Sequence, residues 1–370
     1  MDPFTRPPEI EAIRAAARGL PPPPQPIANK AVPDATLADD LFHIHPANYW
    51  LEGPGQAARA KPLFGNFWLE GELCTLFADT NMGKSLLAVQ LADSLSRGIP
   101  IGPFGLGVPP QTVLYLDFEL TTAQFEQRYS DSNGRYRFSQ RFYRAEYNVL
   151  HQLATGDKNF MQYVSLAITS AVKKTGATVV IIDNITFLRR GIESAAAALP
   201  LMQQLNKLKI RHGLSILVLA HTPKRNPQLP LGRNDLHGSK MLLNFCDAAI
   251  AMGESHTQPG LRYLKQIKQR SATETYGANN VCLGHFQRSK SFLKFVFTGY
   301  GRENDHLLRR RALPPEQLHT EARQLSGEGL SQRQIARQLN VAVGTVNKAL
   351  KRPAPTVHVT TNGLSLSEFF

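Results

Sequence analysis

Apolar and polar positions along this chain follow two alternating rhythms. Leu73–Phe77, Thr112–Asp117, Thr178–Asp183 and Leu214–Ala220 are short apolar runs, rich in β-branched residues in the last two cases. Such runs suit strands buried on both faces of a parallel sheet. Between them, Leu86–Leu95, Thr121–Tyr129, Asn159–Lys174 and Ala195–His212 repeat apolar residues at helical spacing, with Thr121 or Thr122 as a cap for the second. Arg141–Arg144 reads as a short strand. Later, Ala248–Met252, Leu261–Gln269, Val281–Phe286 and Phe292–Phe297 read as strands, the last ones alternating and joined by short turns carrying Gly or Asn, which suits antiparallel hairpins. The order strand, helix, strand from Gly71 to about Gly299 predicts an α/β domain with a mostly parallel sheet between helices and antiparallel edge strands.

The flanks differ. Pro21–Ile27 holds five prolines and predicts a stiff extended linker inside an N-terminal arm, residues 1–60. The core domain is expected over 61–300, a linker carrying Arg309, Arg310 and Arg311 over 301–315, a compact helical domain over 316–352, and a tail over 353–370. Hydrophobic residues make up 42% of the 370, enough for an ordinary core. Cys74, Cys246 and Cys282 stand far apart in apolar runs, the pattern of buried free thiols in a reducing cytoplasm. Neither a secretory leader nor a long apolar span is present, so no membrane role is expected.

Charge sharpens the picture. The formal net charge is +13, and it is uneven. Residues 261–300 hold seven basic groups against one acid, and residues 331–352 hold five against none. Both fields suit a polyanion such as nucleic acid.

Candidate chemistry begins at Ala78–Ser85, A-D-T-N-M-G-K-S, between an apolar run and a helical stretch. This is the phosphate-binding loop pattern, with Ala where the first Gly usually stands. A strand-to-helix turn aims successive backbone N–H groups at one point, and the helix N-terminus adds positive dipole. Thr80, Asn81, Met82, Gly83, Lys84 and Ser85 are therefore the expected nucleotide contacts, with Lys84 on the β- and γ-phosphates and the Ser85 hydroxyl facing Mg²⁺. Ligands in parallel sheets sit at the carboxyl ends of strands. Asp183, ending VVIID, is placed to hold Mg²⁺; Asp117 or Glu119, with Glu119 preferred, is placed to polarise water; His221, ending LSILVLA, is placed to sense the γ-phosphate. Lys268 and Arg270 are two apart on a strand and share a face, which would let a neighbouring subunit of a ring use them as a finger.

The order ADTNMGKS, YLDFE, VVIIDN, LVLAHTPKR and NDLHGSKMLLNFCDAAIAM resembles RecA-like P-loop ATPases, most of all the hexameric RepA plasmid helicases and related mobile-element ATPases, across Gly71–Gln269. The resemblance implies ATP and Mg²⁺ as ligands, Glu119 as catalytic base, Asp183 on Mg²⁺, His221 coupling phosphate to DNA, and Arg270 with Lys268 acting in trans. It also implies a loop, Pro223–Lys240, facing single-stranded DNA in a ring channel through Lys224, Arg225, Arg233 and Lys240. Leu330–Arg352 resembles a helix-turn-helix, with Ser331 as cap, Ile335, Ala336, Leu339, Val346, Ala349 and Leu350 inward. Gly344, Thr345, Asn347 and Lys348 would face the major groove of a duplex, while Arg333, Arg337, Lys351 and Arg352 would meet phosphates. Together these imply an ATP-hydrolysing homo-oligomer, a hexamer, acting in plasmid, phage or mobile-element replication, as helicase or initiator. A nucleotide-switched regulator with no unwinding activity is the alternative.

Overall fold

A computed structural model describes residues 44–132, 134–148, 160–185, 195–236, 240–308, 314–339 and 341–352, apart from 53–59. The proline-rich segment, the Arg309–Arg311 run and the C-terminal tail lie outside these residues. The chain divides into two compact units, Met1–Arg59 and Ala60–Phe370. In the first unit only a short helix, α1 (Ala47–Glu52), is described.

In the second unit a small hairpin, β1 (Pro62–Phe64) and β2 (Trp68–Leu69), leads into β3 (Leu73–Ala78), α2 (Lys84–Arg97) and β4 (Val113–Asp117). There follow α3 (Thr122–Arg128), a second small hairpin of β5 (Ser130–Asp131) and β6 (Gly134–Arg135), and β7 (Phe142–Glu146). Then come α4 (Phe160–Thr175), β8 (Val179–Asp183), α5 (Ala195–His212), β9 (Ser215–His221) and α6 (Lys240–Phe245). The core closes with β10 (Ala248–Glu254), β11 (Leu261–Gln269), β12 (Val281–Ser289) and β13 (Phe292–Gly301).

Nine strands form one sheet in the order β13-β12-β11-β10-β3-β9-β8-β4-β7. Its six strands from β10 to β7 run parallel, and β11, β12 and β13 are antiparallel on one side. This is the α/β layout that the hydrophobic pattern predicts. The two faces follow from strand alternation. Cys74, Leu76 and Ala78 of β3, with Val179 and Ile181 of β8, join the cluster under α2. Leu73 and Phe77, with Val180 and Ile182, join the opposite cluster under α4 and α5. A strand covered on both sides has no polar face, which is why these runs read as continuous hydrophobic stretches.

The core runs further than its expected end at residue 300. A single 3-10 turn, Glu303–Asp305, packs back on the sheet, and Glu303 is 1% exposed. Its carboxylate meets Lys265 Nζ at 2.5 Å and accepts from the Leu231 N–H at 2.6 Å. The first part of the anticipated 301–315 linker is therefore core, because a buried carboxylate needs this partner set.

Three further helices, α7 (Pro315–Gly327), α8 (Gln332–Gln338) and α9 (Val343–Lys351), enclose their own apolar cluster of Leu318, Ala322, Leu325, Ile335, Ala336, Val346 and Ala349. Ser331 caps α8 in a full capping box with Gln334. All three cysteines are buried free thiols. Among the described residues no helix is long and apolar enough to cross a membrane.

Candidate nucleotide site

The parallel register β3–β9–β8–β4 brings four strand ends together. Ala78 stands opposite His221, and Asp183 opposite Asp117. The loop Ala78–Ser85 bridges β3 and α2 and borders a cavity of about 370 Å³, lined also by Glu119, Arg128, Asp183 and His221. All six anticipated loop residues, Thr80 to Ser85, line it.

Loop geometry explains both the glycine that is kept and the one that is replaced. Gly83 has φ 96°, a left-handed conformation, and a Cβ there would lie 2.2 Å from the Phe286 ring. Only glycine meets both demands. Ala78 is the last residue of β3, completely buried with its side chain in the α2-facing cluster, so the strand end takes a methyl group without left-handed backbone.

Lys84 folds back over its own loop. Its Nζ donates to the carbonyls of Ala78 (3.1 Å) and Asp79 (2.8 Å) and lies 3.2 Å from His221 Nδ1. Burial pulls the ammonium below the usual lysine range, opposed by the carboxylates of Asp183, Glu119 and Asp79. The other ring nitrogen, His221 Nε2, is 3.1 Å from Asn184 Nδ2 and 3.6 Å from Glu119 Oε1. Asn184 itself donates to Glu119. A continuous polar chain therefore runs Lys84–His221–Asn184–Glu119 across three strand ends. Glu119 is held below the usual carboxylate range, first by its hydrogen bond to His221 and further by the charges of His221 and Lys84, against the opposing effect of burial. It is ionised at neutral pH, as a base must be.

The two acids after β4 have different fates. In an extended strand they would share a face, but the chain bends after Asp117. Asp117 Oδ1 accepts from the backbone N–H of Glu119 (3.1 Å) and Leu120 (2.9 Å), and Oδ2 accepts from Arg144 Nε at 2.9 Å. Asp117 is thus buried and consumed in holding the turn that presents Glu119 to the cavity.

Asp183 is 2% exposed and accepts from the Tyr115 hydroxyl at 2.5 Å. Burial pushes its carboxyl up to about 6, against hydrogen bonds from Ser85 and Tyr115 that lower it. A buried carboxylate and a hydroxyl side by side are a hard-oxygen pair. They fit Mg²⁺, which takes one or two protein oxygens and fills its shell with waters and phosphate.

Tyr115, Asn184 and Arg128 belong to this site and escaped the sequence reading. Asn184 directly follows the strand-end Asp183, a position that could have flagged it. Tyr115 lies within an apolar run and Arg128 in a surface helix, where nothing in the pattern distinguishes them.

Lys268 and Arg270 lie elsewhere. Gln269 pairs with Ala248, which pairs with Cys74 at the start of β3. The pair therefore sits at the opposite end of the sheet from the chain's own phosphate loop, roughly 13 Å away along β3 alone. β11 pairs with β12 only over Leu261–Leu264, so Lys268 lies on a stretch paired with β10 alone and Arg270 just beyond the strand. Lys268 Nζ caps the C-terminal carbonyls of α6, donating to Leu243 O (2.5 Å) and Asn244 O (3.3 Å). Arg270 donates to Asn244 O at 2.8 Å and Asp247 at 3.4 Å, yet its side chain stays 54% exposed.

On the loop after β9, Lys224 is exposed, whereas Arg225 turns inward toward Asp235 (3.6 Å) and the Leu229 carbonyl, bracing the loop instead of standing free. The side chain of Lys240 lies outside the described residues. In the helical module Arg333, Arg337, Gly344, Thr345, Lys348, Lys351 and Arg352 are exposed and Asn347 is half-buried.

A strand-to-helix phosphate loop faces a buried acid, a second acid and a strand-end histidine, an arrangement in an α/β domain that suits a nucleoside triphosphate with Mg²⁺. Residues 49–227 match the family model described as AAA domain. Among solved structures, the KaiC-like protein PH0186 from the hyperthermophilic archaeon Pyrococcus horikoshii OT3 is similar at 14% identity, covering 65% of this chain and 99% of that one with a TM-score of 0.44. No curated protein matches.

Proposed function

We propose that the protein is an ATP-hydrolysing, DNA-engaged ring ATPase, akin to the RepA helicases, that serves replication of a plasmid, phage or mobile element as helicase or initiator. The observation that carries this reading is the chain Lys84–His221–Asn184–Glu119, which ties the phosphate loop to the acid that faces the cavity.

In this reading the loop N–H groups and the α2 dipole hold the β- and γ-phosphates, and Lys84 leaves its carbonyl partners for the γ-phosphate. Ser85 and Asp183 would hold Mg²⁺, which supplies charge neutralisation on the phosphates when bound. Glu119 accepts the proton of the attacking water, and Asn184 and His221 orient its carboxylate. Arg128 adds a cation from the same chain. Arg270, exposed and remote from its own loop, completes the site of an adjoining copy, so that hydrolysis requires assembly into a ring. Lys268 supports it indirectly by fastening α6.

Replacing Lys84 with Ala is expected to abolish hydrolysis. Arg270→Ala should lower turnover by about a thousandfold or more while ATP binding persists. Normal turnover by Arg270→Ala would remove the trans assignment.

The exposed polar face of α9 and the basic residues of α8 favour duplex binding by a helix-turn-helix, which is also what a nucleotide-switched regulator would carry. Strand displacement on a forked duplex separates the two. Unwinding coupled to ATP turnover supports the motor, and nucleotide-dependent duplex binding without unwinding supports the regulator.

A further inference from the structure

The basic residues of the β12–β13 hairpin belong neither to the nucleotide cavity nor to the helical module. They border a groove of about 680 Å³ between the C-terminal half of α2 and the outer strand β13. Three cations from separate segments line it: Arg97 at the end of α2, Lys290 in the hairpin turn and Lys294 on β13. Exposed Arg137 is joined to the groove's rim, because Arg97 donates to its carbonyl. The acid in the lining, Asp93, is already engaged by Arg97 (2.9 Å) and the Tyr136 hydroxyl (2.7 Å). Arg97 and Asp93 offset each other, so the groove's excess positive charge comes from Lys290 and Lys294.

What fits it follows by elimination. A peptide adding to the β13 edge would need free backbone groups. At Phe295 the edge is closed, because the Gln90 side chain accepts from its N–H (2.6 Å) and donates to its C=O (3.1 Å). Single-stranded nucleic acid needs aromatic faces on which bases stack. Tyr136 packs against Phe292 at 4.3 Å and lies under Arg97, while Phe297 packs against Phe104 and Tyr300, so these rings are taken. What is left is recognition of phosphates by spaced cations, which suits a duplex backbone.

We propose that this groove is a sequence-independent docking surface for the phosphate backbone of duplex DNA on the ATPase domain itself. The proposal rests on the DNA-engaged reading above, but not on the helix-turn-helix or the loop after β9. Its test uses the full chain and a fluorescent duplex of random sequence, with affinity followed over about 50 to 200 mM salt. Lys290 has φ 52°, so Asn, which tolerates left-handed backbone, is the suitable replacement. The double variant Lys290→Asn/Lys294→Gln is expected to bind about tenfold more weakly, with a salt slope shallower by about two, since each lost phosphate contact removes about 0.9. Lys290→Arg/Lys294→Arg should bind as the parent does. DNA-free ATP turnover and the melting temperature of both variants should match the parent. The loss should persist when Arg333 and Arg337 are also replaced. An unchanged slope in the Asn/Gln variant, or an equal loss on single strands, overturns the groove assignment alone. A parent chain that fails to bind duplex at all overturns it together with the DNA-engaged reading.

Discussion

At the residue scale the nucleotide site is a set of conflicts held in check. Lys84, Asp183 and Glu119 are charged groups drawn from water, and each leans on the others. Asp183 shows the cost most clearly. With its carboxyl pushed from 3.8 to about 6, the folded chain binds that proton more tightly than the unfolded chain does. Metal-free stability therefore falls as pH rises across that window, by about 3 kcal/mol in all. Asp183→Asn keeps an acceptor for Tyr115 and removes the charge. Calorimetry on the nucleotide-free protein at neutral pH should show a melting temperature raised by about 5 °C. Mg²⁺-dependent nucleotide binding should be lost in the same variant. A lowered melting temperature would mean that the carboxylate is already compensated without metal. The residues themselves were legible to different degrees. Lys84, Ser85, Asp183 and His221 stood out because each ends a strand or opens a helix, and Glu119 because it follows a strand end by two residues. Tyr115 and Asn184 did not, since a hydroxyl inside an apolar run announces no partner until the strands are aligned.

At the element scale, legibility tracked length and periodicity. The central strands and the long helices α2, α4 and α5 appeared where the pattern put them, because burial on defined faces writes a period into the chain. Strands of two or three residues, such as those of the β1–β2 and β5–β6 hairpins, carry too few positions to show one. The capping box on α8 was legible in Ser331 and is testable there. Ser331→Ala removes the acceptor for the Gln334 N–H and should cost about 1 kcal/mol. Hydrogen exchange at the buried Ile335 amide should then speed up about fivefold. Unchanged protection would show that packing on α7 alone holds this helix.

At the scale of the whole molecule, the proposed trans role of Arg270 makes the active unit larger than one chain. Arg270 lies at the end of the sheet away from its own phosphate loop, so under the proposed reading each site would draw on a second copy. Complementation tests this directly. Lys84→Ala keeps Arg270, and Arg270→Ala keeps Lys84. Neither variant alone should hydrolyse ATP, and a mixture should recover part of the parental rate through mixed interfaces. A mixture that stays inactive at concentrations where the parent assembles would argue against sharing.

The amino-acid order alone determined the α/β alternation, the phosphate loop and the acids at the strand ends, because these depend on spacing within single elements. It also set out a small helical module with its cap. Only the tertiary structure decided which acid is free and which is spent, since Asp117 and Glu119 differ in the bend between them and in the reach of Arg144. The partners of Lys268, Arg225 and Glu303 were decided there too. Those of Lys268 and Glu303 come from segments distant in sequence, and a contact between distant segments leaves no periodic trace in either one.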